Sequence, residues 1–406
     1  MKNGGEKMNR EDFPMLNKNE IIYFDNGATT LKPQPVIDAV VDYYTNYTAN
    51  AHRGDYKNSL KVDDTYEGVR KKVQEFINAK ETSEIAFTSG TTDSMNLIAF
   101  GYFKNILQKD DEVLITESEH ASNILPWFIL AKEIGIKVKY IPLSKKNEVI
   151  IENVEKAITP KTKVISLAQI TNVIGDIRPI QEISSLAHKK NIYVVVDAAQ
   201  SIAHTKVDVQ KLDIDFLAFS AHKIYGPTGV GVIYGKFNLL DKLIPRNYGG
   251  GMNATFTTDG YLELREIPVR LEAGTPNIAG VIGLGAAIDY VNNIGIDNIK
   301  EYEHMLKRYL VSKLKQLDFI EIYNEFNSGS IVAFNIKNVF SQDTAVYLDK
   351  YNICVRAGNH CAKILNNVFN VNNTCRISLS FYNTKEEIDK LIEVLKNSGN
   401  IWNEIL

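Results

Sequence analysis

Lys223 is the first residue whose surroundings ask for an explanation. It stands in Phe219-Ser220-Ala221-His222-Lys223-Ile224-Tyr225-Gly226-Pro227, directly after an apolar run and ahead of a Gly-Pro turn. Most lysines are solvated, and a lone lysine here would be read that way. Twenty-six residues upstream, however, Asp197 ends the run Val194-Val195-Val196 and leads into Ala198-Ala199-Gln200. A carboxylate at the C-terminal end of a buried strand sits where parallel α/β sheets place their sites. The same Asp could also cap the following helix. An amine of lowered pKa and an acid able to pair with a pyridinium nitrogen are what Schiff-base chemistry asks of a protein.

A third group is Thr88-Ser89-Gly90-Thr91-Thr92-Asp93-Ser94-Met95. A strand there runs into a Gly/Thr turn and a helix start, whose free N–H groups and hydroxyls can cradle a phosphate. Taken alone, it also reads as a plain helix cap. Neither GxGxxG after an early strand nor GxxxxGK[ST] is present, so the dinucleotide and P-loop fingerprints are missing.

The cysteines are Cys354, Cys361 and Cys375. An odd, low count argues against a disulfide framework. With no CxxC pair, a structural zinc site is not indicated. Cys354 lies in the apolar run Ile353-Cys354-Val355, and Cys375 adjoins a strand; both read as core. Cys361 differs. It lies in a polar loop beside His360 and five residues from Arg356, where positive charge favours a thiolate.

The elements that must position these groups follow from periodicity. Val62, Tyr66, Val69, Val73 and Phe76 step by four and three, an amphipathic helix. Apolar runs follow at Ile85–Thr88, Val113–Thr116, Val138–Pro142, Val164–Leu167, Ile192–Val196, Phe216–Phe219 and Val230–Tyr234. Helix-length segments separate most of the earlier ones, which implies a mostly parallel sheet covered by helices. The last two runs are close enough to allow an antiparallel addition. Gly280 to Val291 reads as a helix with small residues on one side, and a helical pattern continues to about Leu317. Strands at Ile331–Asn335, Ile353–Arg356 and Arg376–Ser380 and a terminal helix from Thr384 suggest a second, α+β domain.

The chain has 406 residues and a formal net charge of -3, enough for a large α/β domain plus a smaller one and no long-range pull toward nucleic acid or an anionic membrane. Residues 1 to 19 lack the apolar run of a signal peptide, and no stretch reaches the length of a transmembrane helix. A soluble, cytoplasmic protein is expected.

In combination the motifs are specific. Asn26-Gly27-Ala28-Thr29-Thr30, Ala51-His52-Arg53-Gly54, Glu119-His120, Asp197-Ala198-Ala199-Gln200, Ser220-Ala221-His222-Lys223, Glu272-Ala273-Gly274-Thr275-Pro276 and Arg356-Ala357-Gly358-Asn359-His360-Cys361-Ala362 resemble the class V aminotransferase branch of fold-type I pyridoxal-phosphate (PLP) enzymes. Within it they resemble the SufS-type cysteine desulfurases, from about Ile21 to near the C-terminus. The resemblance implies an α/β fold-type I PLP-transferase with a mostly parallel seven-stranded sheet in residues 21–280. A small α+β domain in 281–406 would carry the cysteine loop, with residues 1–20 packing on it.

The resemblance also assigns roles. Lys223 would hold the cofactor as a Schiff base and move protons at the substrate Cα. Asp197 would pair with the ring N–H, Gln200 with the ring's phenolate oxygen, and His120 would stack on the ring and help protonate or deprotonate the substrate sulfur. Thr92, Ser220 and His222 would hold the phosphate, and Thr275 would reach the phosphate of a neighbouring subunit, making a homodimer part of the site. Asn172 and Arg376 would bind the amino-acid carboxylate, and Arg356 would sit near the substrate thiol. Cys361 would take sulfur from L-cysteine as a persulfide, releasing alanine, and pass it to an acceptor protein of the SufE or SufU type, for iron–sulfur cluster assembly. Ala121 and Asn359 stand where many relatives carry His. Selenocysteine lyase, or another class V aminotransferase or lyase, is the alternative; a catalytically silent assembly scaffold or a nicotinamide enzyme fits the residues less well.

Overall fold

The structure is a computed structural model and describes residues 10–51 and 54–398. Its main feature is a seven-stranded sheet. In chain order the strands are β1 (Ile85–Thr88), β2 (Glu112–Ile115), β3 (Lys137–Tyr140), β4 (Thr162–Ala168), β5 (Tyr193–Asp197), β6 (Phe216–Ser220) and β7 (Gly231–Gly235). Their order across the sheet is β1-β7-β6-β5-β4-β2-β3. Every neighbouring pair from β6 to β3 is parallel. Strand β7 runs antiparallel to both β1 and β6. Each apolar run of the sequence is therefore a strand, and the closely spaced final pair is the antiparallel addition. The central strands are buried on both faces, whereas the edge strand β3 exposes Lys137, Lys139 and Tyr140. Helices from the crossovers cover the sheet, as parallel strands require.

The helix Ile278–Ile294 is buried almost all round. It packs in the same core as the helices Gln34–Asn46 and Lys57–Phe76 and the large sheet. Its small residues allow this approach. A Cβ at Gly283 would come within 2.4 Å of Pro227, and one at Gly285 within 2.5 Å of Val69. The second half of the helical pattern, Ile296–Leu314, turns away by 74° at Gly295, whose φ is +89°. The break escapes the periodicity because Ile294 and Ile296 flank it. A boundary at residue 280 would cut this helix away from the core in which it is buried.

A second sheet is formed by β8 (Ile320–Ile322), β9 (Ile331–Ile336), β10 (Arg356–Gly358) and β11 (Thr374–Ser378), in the antiparallel order β8-β9-β11-β10. Helix Lys385–Lys396 covers it, entered through a capping box in which Thr384 and Glu387 satisfy each other's backbone N–H groups. The N-terminal segment ties the two cores together. Ile22–Tyr23 pairs in parallel with Ile353–Cys354. Phe13 packs among Tyr225, Tyr290, Phe381 and Tyr382, while Arg10 bonds Glu387. Residues 1–9 lie outside the described residues. Among those described, no single helix is long and apolar enough to cross a membrane.

Candidate active site

The C-terminal ends of β4, β5 and β6 point at the small sheet, and a cavity of about 230 Å³ opens between them. Its walls include Ala168 from β4, Asp197 from β5 and Ser220 from β6. Across from them are Arg376 on β11, Arg356 on β10 and Cys361 in the loop that follows. Thr92, His120, Asn172, Gln200, His222 and Lys223 complete the set. Eleven of the sequence-derived candidates thus share one cavity although they are scattered from residue 92 to residue 376. Thr275 does not line it; the Thr275 hydroxyl accepts a hydrogen bond from Asn50 at 3.3 Å. His52 and Arg53 lie outside the described residues.

Lys223 sits in the short turn that follows β6. Its Nζ donates to the carbonyl of Gly27 at 2.7 Å. Burial, and then the positive charge of Arg376, lower its pKa to about 8, against the opposing pull of Asp197. Asp197 is 3 % exposed. Burial raises its carboxyl to about 6, although the Ala199 N–H donates to Oδ1 at 2.9 Å. Gln200 donates to the same Gly27 carbonyl, also at 2.9 Å. Space beside Gly27 is tight, since a Cβ would approach the Arg376 guanidinium to 3.1 Å and the neighbours would have to give way.

His120 caps the short helical turn Ala121–Asn123. Its Nδ1 accepts from the Ser122 backbone N–H at 3.2 Å, so the neutral ring carries its proton on Nε2. Burial, then Lys223, lower its pKa to about 4. The Ser122 hydroxyl lies 3.0 Å from the same Nδ1 and 2.7 Å from Thr92 Oγ1. Beneath the loop lies Glu119, fully buried. It pairs with Arg178 and accepts from Asn123 and the Ala168 N–H, both at 2.8 Å.

The small-sheet side of the cavity is built around Arg376, 2 % exposed. It donates to the Asn172 carbonyl at 3.0 Å and to Asp25 at 2.9 Å. Arg356 lies directly opposite it across the ladder and reaches the same Asp25 at 3.8 Å. Two guanidiniums with one carboxylate leave net positive charge facing the cavity.

The cysteine loop is tightly fixed. His360 and Cys361 both have positive φ, +49° and +56°, in a turn closed by Ala362 N–H on the Asn359 carbonyl at 2.7 Å. Left-handed backbone costs a non-glycine residue about 1–2 kcal/mol, so neighbours must hold it. They do: Asn172 donates to the His360 carbonyl, His360 Nε2 meets Thr374, and the Ala121 N–H donates to the Cys361 carbonyl. Cys361 is exposed, Cys375 is buried and Cys354 is in between.

Sequence reasoning missed Asp25, Gly27 and Ser122 as parts of this site. Gly27 lies inside a quoted motif and Ser122 two residues beyond another, but the contacts to Lys223, Gln200 and Thr92 that place them here are long-range. Nothing in the spacing joins Asp25 to Arg376, 351 residues away.

Can this cavity hold an anionic aromatic cofactor? His222 Nδ1, Asn172 Oδ1 and Arg376 Nε are buried polar atoms without a protein partner. Buried polar groups are ordinarily satisfied, so a ligand with phosphate and carboxylate oxygens matches the donors among them. Burial, then Lys223, hold His222 neutral, with its pKa lowered to about 4. Asp197 is the buried acid a pyridinium nitrogen needs. The residues fit.

The chain is similar to proteins of known family. The family model for class-V aminotransferases matches residues 22–391. A probable cysteine desulfurase of Halalkalibacterium halodurans is 43% identical over 97% of this chain and 98% of its own length. A cysteine desulfurase of Serratia proteamaculans is 40% identical over 95% and 96%. Among solved structures, the apo cysteine desulfurase of Thermococcus onnurineus superposes with a TM-score of 0.91 at 39% identity, covering 96% of both chains. The S-sulfonic acid form of the Escherichia coli cysteine desulfurase CsdA gives 0.92 at 35% identity, covering 99% of both. The chain belongs to the class-V aminotransferase family and, within it, to the cysteine desulfurases.

Proposed function

We propose that this protein is a PLP-dependent cysteine desulfurase that moves the sulfur of L-cysteine onto Cys361 and releases L-alanine. The observation that carries the reading is the convergence of Lys223, Arg376 and Cys361 on one cavity. PLP is the cofactor of this family, and bound there it supplies an electron sink for the α-carbon of an amino acid.

The chain's own residues do the rest. Lys223, whose pKa is held near 8, is the amine that anchors the cofactor and takes the α-proton. Asp197 would keep the ring nitrogen protonated, and Gln200 would bond the ring oxygen. Thr92, Ser220 and His222 would hold the phosphate. Arg376 receives the substrate carboxylate in its planar fork, with Asn172 beside it and Arg356 near the substrate sulfur. His120, neutral with its proton on Nε2, faces the cavity and handles the proton of that sulfur. Cys361 then takes the sulfur as a persulfide, and alanine leaves.

The finer assignments belong to the same proposal. The enzyme is of the SufS type and works as a homodimer in which Thr275 reaches the partner's cofactor phosphate. The cysteine loop is short and pinned, which favours handing sulfur to a dedicated protein of the SufE or SufU type, for iron–sulfur cluster assembly. Three unpaired cysteines suit a reducing cytoplasm. Replacing Cys361 by Ala tests the reading: alanine production from cysteine should be lost while the cofactor stays bound. Alanine release at the unaltered rate would refute it, and retained activity on selenocysteine alone would favour the lyase.

A further inference from the structure

A second cavity, of about 410 Å³, lies outside this site, between helix Ile296–Leu314 and the loop 325–328. Residues 304, 307, 308, 311 and 315 line its helix side, and their three- and four-residue steps make one stripe. A stripe covered by a loop is ordinarily apolar. This one holds His304, Lys307, Arg308 and Lys315 against a single acid, Glu325, which Lys315 already engages at 2.5 Å.

Lys307 is 4 % exposed. Its ammonium donates to the main-chain carbonyls of Asn324 and Asn327 and, among the described residues, pairs with no carboxylate. Burial lowers its pKa to about 8. Asn327 is 5 % exposed, and neither its amide nitrogen nor its side-chain oxygen has a partner. At the lip, Phe326 is 64 % exposed, with Lys146 Nζ 5.5 Å and Lys315 Nζ 6.0 Å from its ring centre. The loop is anchored at its base, where the Asn324 side chain donates to the Ile174 and Ile331 carbonyls and accepts from Ala333 N–H. The cavity is thus preorganised.

We propose that this cavity binds a small phosphorylated ligand carrying a planar ring, with the phosphate held by Lys307, Arg308 and Asn327 and the ring on Phe326. Donors converge there from two elements, which suits an anion with three acceptor oxygens. The exposed ring offers a stacking face. Nothing in the desulfurase reading uses these residues.

Isothermal titration of the holoenzyme, whose own phosphate site is filled, tests this with AMP and with adenosine at low salt. AMP should bind with a dissociation constant below about 1 mM, and adenosine at least about tenfold more weakly because it lacks the charge. Arg308→Glu should weaken AMP by at least about tenfold while leaving alanine production unchanged. Lys307→Met should abolish AMP binding; because Lys307 is buried and that variant could lose its fold, the exposed Arg308 variant is the deciding one. No heat from AMP, equal binding of adenosine, or an unaffected Arg308→Glu variant would overturn the proposal.

Discussion

The carbonyl of Cys361 accepts a 2.7 Å hydrogen bond from the backbone N–H of Ala121, the residue after His120. One bond therefore joins the loop of Cys361 to the loop that carries His120. It also helps hold Cys361 in a backbone conformation it would not choose alone.

Ala121→Pro removes that donor with little other change. Ala121 is the first residue of a short helical turn, where proline is tolerated, and His120 before it is already extended at φ -67° and ψ 148°. A net hydrogen bond is worth about 0.5–1.5 kcal/mol, so single-turnover alanine formation should slow about threefold to tenfold with cofactor content unchanged. An unaltered rate would mean the bond does not set the loop.

Arg376→Lys keeps the charge but loses the fork that meets Asp25 and Asn172 and that is proposed to receive the substrate carboxylate. KM for cysteine should rise at least about tenfold, more than kcat falls. Equal loss in both would place Arg376 in a different role.

Burial of Lys223 carries a stability cost that pH exposes. Its pKa is near 8 in the folded apo-protein against 10.5 unfolded, so between those values the unfolded chain binds more protons. Stability rises with pH across that window; below 8 the cost is fully present. Lys223→Met should therefore stabilise the apo-protein at pH 7, by no more than about 3 kcal/mol and less where the open cavity screens the charge. The gain should shrink as pH climbs toward 10.5. Urea denaturation of both apo-proteins at several pH values measures it; a gain independent of pH would contradict the shift.

His120, held near 4 by burial and by Lys223, should stay neutral from pH 5.5 to 8. Nitrogen-15 NMR of histidine-labelled apo-protein should find one ring protonated at Nε2 throughout that range and titrating only near 4. A midpoint near 6.5 would show that the ring is solvated.

Much of this was legible before the fold was known. The apolar runs ending at Asp197 and Ser220 mark β5 and β6, and the loop context of Cys361 sets it apart from Cys354 and Cys375. What stayed hidden depends on contacts between distant segments. Asp25 balances Arg356 and Arg376 only because Ile22–Tyr23 docks beside Ile353–Cys354. The left-handed pair His360-Cys361 has no glycine to announce it; Thr374, Asn172 and Ala121 impose it from outside. The bend at Gly295 is masked because Ile294 and Ile296 flank it, so the periodicity runs through a 74° turn.

In the proposed reaction Cys361, rather than Cys354 or Cys375, receives the sulfur. Mass spectrometry of peptides from the holoenzyme, alkylated shortly after one addition of L-cysteine, reads the acceptor out. One extra sulfur atom on the Cys361 peptide, absent without cysteine, is the expected result. Alanine formation with no added sulfur on that peptide, or with the sulfur on Cys354 or Cys375, would contradict the account.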